Sequence, residues 1–97
     1  MPELARFFGI IIRMFAEAGE KHHLPHFHAA HGDQEGVFFI KGDDVFTDME
    51  KCSLSRKDIR LVLAWAEMNL FELKQAWDQL SADNPQTDNI KIKPLTK

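Results

Sequence analysis

The spacing of apolar residues changes once, near Ser53, and divides the chain into a strand-forming part and a helix-forming part. Beyond that point Ile59, Leu63, Ala66, Leu70, Leu73, Trp77 and Leu80 recur at intervals of three and four, the stripe of an amphipathic helix. Ser55 stands where an N-cap belongs, and Asp58 at the third helical position lies near the positive end of the helix dipole. At about 1.5 Å per residue, a helix from Arg56 to Ser81 would be roughly 40 Å long. That is long for a chain of 97 residues. Leu61, Val62, Trp65, Met68 and Phe71 also widen its apolar surface beyond one stripe. The expectation is a helical region packed on a sheet, long or bent near Met68 to Leu70, with Trp65, Met68 and Phe71 turned towards a partner chain.

Before Ser53 the pattern is that of strands. "RFFGIIIRMF", residues 6–15, is apolar on both alternating faces and reads as one central strand, with Gly9 marking a bulge or a close approach. "AEAGEKHHL" reads as a loop, and Pro25 opens the extended segment "PHFHAAH". "GDQEG" and "GDD" supply turn chemistry around "VFFIK" and before "VFTDMEKC". The fold class is therefore α+β: an antiparallel meander of about four strands over residues 6–52, then a C-terminal helical region over 55–81 packed on the sheet. One domain spans 1–82. Residues 83–97 are a polar tail whose "IKIKPL" alternates apolar and basic residues and suits a short edge strand.

Charge and cysteine usage narrow the function classes. The net charge is −3, and Asp33, Glu35, Asp43, Asp44, Asp48 and Glu50 crowd the middle of the chain against Lys41 and Lys51. Such a surface repels phosphates and argues against a nucleic-acid clamp there. The basic residues are scattered apart from Arg56, Lys57 and Arg60. Cys52 is the only cysteine, which excludes an intramolecular disulfide and a cysteine-rich zinc knuckle. The N-terminal apolar run is short and broken by Arg6 and Arg13, and no stretch reaches the roughly eighteen apolar residues of a membrane span. A cytoplasmic protein with no membrane contact is expected.

All five histidines fall between His22 and His31. In an extended strand, His26 and His28 point to one face while Phe27 and Ala29 face the other. Two imidazoles at that spacing can act as acid and base around one scissile bond, or share a divalent metal such as zinc. A metal needs at least one more protein ligand. His31 points the opposite way in a regular strand, and Glu17, Glu20, His22, His23 and Asp33 have no diagnostic spacing. Arg13 suits a phosphate-binding fork aimed at the histidine strand. The plainer alternatives are that His26 and His28 are hydrogen-bonded residues under the helix and that Arg13 pairs with Asp48 or Glu50 across the sheet.

"MPELARFFGIIIRMF", "PHFHA" at Pro25 to Ala29, "LAWAEMN" with Trp65, Ala66 and Glu67, and a terminal "IKPL" together resemble the bacterial domain-of-unknown-function family 4160. Two departures stand out: "AEAGEKHHL" is longer than the family pattern and adds His22 and His23, and Phe15 occupies a tyrosine position. The resemblance implies a toxin-type component of a toxin and antitoxin module, whose partner is an antitoxin-like protein of uncharacterised family 2442. Two functional expectations follow. One is an RNA-directed nuclease with His26 and His28 as acid and base and Arg13 stabilising phosphate charge. The other is a non-catalytic interaction module, self-associating or partner-bound, whose histidines are structural.

Overall fold

The computed structural model describes residues 3–14, 24–81 and 91–95. Five strands, β1 (Glu3–Phe7), β2 (Ile10–Arg13), β3 (His26–His31), β4 (Gln34–Lys41) and β5 (Asp44–Thr47), form one antiparallel sheet in the order of the chain. Two helices follow, α1 (Arg56–Met68) and α2 (Leu70–Ser81). The α+β meander is as expected, but it has five strands rather than four.

The extra strand arises where one central strand was expected. Phe8 and Gly9 both take positive φ, 50° and 80°, and reverse the chain, so β1 and β2 form a hairpin. Two consecutive positive-φ residues match the twist of a tight hairpin, but a bulky side chain rarely accepts the first of them. Gly9 is therefore a turn residue, and the bulge lies in β1 between Glu3 and Ala5.

Alternation then fixes the two faces of the sheet. Ala5, Phe7, Ile10, Ile12, Phe27, Ala29, Phe38 and Ile40 are buried, and the strand register puts them on one side. Phe27 stacks on Phe38 at 5.4 Å and meets Trp65 of α1 edge-on at 5.8 Å, so this side carries α1. Burying each such large apolar side chain is worth roughly 1.5–3 kcal/mol. The opposite face carries Arg6, Ile11, Arg13, His26, His28, Val37 and Phe39.

The helical region bends as the surplus apolar surface suggested. Ser55 accepts the Asp58 amide at 3.1 Å and caps α1. Asn69 closes α1: its side-chain amide donates to the Trp65 carbonyl at 2.9 Å, and its own carbonyl accepts from Leu73. The buried seam of α1 runs through Ile59, Val62, Trp65 and Ala66, while Leu63, Leu70 and Trp77 are only half-buried. Residues 91–95 run beside β1. The Ile92 amide donates to the Leu4 carbonyl at 2.8 Å, and Ile92 is buried. No helix among the described residues is long and apolar enough to cross a membrane.

Candidate functional site

Strand β3 presents its histidines on both faces of the sheet. His26, His28 and Ala30 face away from α1, and Phe27, Ala29 and His31 face towards it, with an unbroken register from His26↔Phe39 to His31↔Gln34. His22 and His23 lie outside the described residues.

His26 is only 5% exposed. Its Nδ1 lies 3.0 Å from the Leu24 carbonyl, and a carbonyl only accepts, so Nδ1 carries the proton. The ring stands 5.0 Å from Trp77 and 5.9 Å from Phe39, centroid to centroid, and 5.8 Å from His28. An aromatic wall thus surrounds it. Among the described residues no group of three or more histidine, cysteine, aspartate or glutamate side chains is arranged to hold a metal ion.

Arg13, on β2, lies directly opposite His28 of β3 and opposite Glu3 of β1. Cross-strand partners have Cβ atoms about 4.5–5.5 Å apart, so all three expected catalytic residues share one face. The acidic neighbour of Arg13 is Glu3 rather than Asp48 or Glu50, which follow β5 at the far edge of the sheet. The Glu3 carboxyl is held below its usual range, first by a 2.7 Å hydrogen bond from Arg6 and then by the charges of Arg6, Lys91 and Arg13, with burial opposing.

Of the residues expected to face a partner, Trp65 belongs to the core. It is fully buried, packs on Phe7 and Phe27, and donates its indole N–H to the Lys93 carbonyl. Its ring is too large to leave outside so small a core, and its N–H needs a buried acceptor. Met68 and Phe71 lie outside the core, 73% and 68% exposed, on either side of the Asn69 break.

His31 forms a second arrangement. Its Nδ1 donates to Asp58 Oδ2 at 2.8 Å, which joins the end of β3 to the first turn of α1. Asp58 is 6% exposed, while the imidazole remains about half-exposed. Phe8, His31, Lys57, Asp58 and Leu61 line a hollow of about 230 Å³ beside this pair. Asp58 was legible as a helix-start residue and His31 as facing away from His26 and His28. Their pairing across 27 positions of sequence was not, since no local spacing encodes it.

A family model described as a domain of unknown function (DUF4160) matches residues 9–78. No curated protein and no solved structure matches the chain.

Proposed function

The chain belongs to this family, and from that premise we propose that it is a protein-binding module, the toxin-type half of a bacterial, cytoplasmic toxin and antitoxin pair. Its partner is an antitoxin-like protein of family 2442, and its β3 histidines serve the fold. The observation that carries this reading is the exposure of Met68 and Phe71, two large apolar side chains flanking one helix break. Large apolar side chains left this exposed mark a protein contact. The burial of His26 against Trp77 and Phe39 supports the same reading, because a walled-in imidazole cannot reach a scissile bond.

Co-expression with a family 2442 protein tests it. Wild type and a folded His28→Ala variant are expected to co-purify with the partner, and Met68→Glu/Phe71→Glu is expected not to. Retention of the partner by the double glutamate variant would remove the helical corner from the interface.

One observation favours a second reading, an RNA-directed nuclease. Arg13 stands opposite His28, which is the pairing of a phosphate fork with a proton acceptor. The net charge of −3 weighs against it. Induction of wild type, Arg13→Ala and His28→Ala in a bacterial host, followed by inspection of cellular RNA, separates the two readings. RNA cleaved by wild type and spared by both variants establishes the nuclease.

A further inference from the structure

We propose that the hollow between the β1–β2 turn and the start of α1 binds a ribonucleoside monophosphate, with its base against Phe8, its phosphate on Lys57 and a ribose hydroxyl on Nε2 of His31. This site lies apart from both the Met68 and Phe71 corner and the outer face of the sheet, and it does not depend on the partner reading.

The imidazole of His31 is fixed in both tautomer and direction. A carboxylate only accepts, so the 2.8 Å bond to Asp58 puts the proton on Nδ1 and leaves Nε2 of the neutral ring as an acceptor. Asp58 is itself buried and belongs to the capped first turn of α1. Gly9 allows the ring to lie where it does. A Cβ built on Gly9 would stand 2.7 Å from Nε2, 3.1 Å from Cε1 and 3.3 Å from Cδ2. These nearly equal distances place Gly9 over the face of the ring, not in line with the Nε2 lone pair. That lone pair is directed past the glycine, on a ring that is about half-exposed.

The remaining walls suit a planar base and an anion. Phe8 is 45% exposed although its backbone sits at φ 50°, a strained place for a bulky residue that glycine would relieve. Its ring is steadied edge-on by Phe7 at 6.4 Å. A strained, exposed and positioned aromatic ring is a stacking surface. Lys57 supplies the cation. Asp58 keeps its negative charge, because the imidazole bonded to it is neutral, and Lys57 outweighs it together with Arg56 and Arg60, which share the exposed part of the same helical turns. At about 230 Å³ the hollow is smaller than a drug-sized pocket, so it holds a single-ring base with one edge of the ribose and leaves the phosphate at the exposed Lys57.

The test is an amide NMR titration of the full chain with uridine 3′-monophosphate, compared with its 2′-deoxy counterpart and with inorganic phosphate. Saturable shifts are expected at Phe8, Gly9, His31, Lys57 and Leu61. Lys57→Ala should weaken binding about tenfold, the worth of a lost charge-assisted hydrogen bond, and the deoxy compound should bind several-fold more weakly. Lys57 is exposed, so this variant reports on binding even where His31→Ala perturbs folding. Met68→Glu should leave nucleotide binding unchanged. Equal affinity for inorganic phosphate, shifts that do not saturate, or undiminished binding by Lys57→Ala would each overturn the proposal.

Discussion

The indole N–H of Trp65 donates to the carbonyl oxygen of Lys93 at 2.8 Å, so the middle of α1 holds the segment that runs along β1. Trp65→Phe keeps an aromatic ring and leaves that carbonyl without its donor. Stability should fall by about 1–2 kcal/mol. Trp65→Ala also opens a cavity against Phe7 and Phe27 and should cost about 3–5 kcal/mol. Urea unfolding reads both, and a Trp65→Phe midpoint equal to wild type would deny the bond any weight.

Two glycines with similar backbone angles should respond differently to alanine. Gly9 and Gly32 have φ of 80° and 66°, so each substitution carries a left-handed penalty of about 1–2 kcal/mol. A methyl group at Gly32 meets nothing within 4 Å, whereas one at Gly9 meets His31 at 2.7 Å. Gly9→Ala should therefore be the more destabilising, by about 1 kcal/mol or more. Adding His31→Ala should recover part of that excess in a double-mutant cycle. Equal losses at the two glycines would show that the contact has no energetic weight.

His26→Ala should destabilise the protein far more than His28→Ala. The first removes a buried ring from among Trp77 and Phe39 and strands the Leu24 carbonyl, at a cost of about 2–3 kcal/mol. The second alters a half-buried ring and should cost about 1 kcal/mol. Chemical denaturation of the two variants checks the order.

The Glu3 and Arg6 pair makes a small, signed contribution to pH dependence. Because the folded-state pKa of Glu3 is lowered, its stabilisation is complete above the unfolded-state value and disappears as acid carries the pH down through the folded one. The first cause is the hydrogen bond from Arg6, so Arg6→Gln should move the Glu3 carboxyl titration upward. Carboxyl-detected NMR measures the shift, and an unmoved titration would assign the lowering to Lys91 and Arg13 instead.

What could be read from the residues was local. The Ser55 cap, the bend near Asn69 and the turns at Gly32 and Gly42 all follow from short-range chemistry. So do the opposite faces of His26 and Phe27. The β1–β2 turn escaped because its first residue is a phenylalanine, and an apolar run with one glycine looks the same as a buried strand until the backbone angles are known. Trp65 escaped because a wide apolar helix face does not say which of its members the sheet will cover. The His31 and Asp58 pair escaped for a third reason: it depends on how α1 is laid across the end of β3.

The bond from Ile92 to Leu4 spans nearly the whole sequence described here. A ribosome makes β1 before the helices, and the outer edge of that strand gains this neighbour only after both helices have been synthesised. Through all that time the edge offers open backbone donors and acceptors to any passing strand. For this fold, the hazardous interval is its own birth, and chaperone dependence should track the speed of translation.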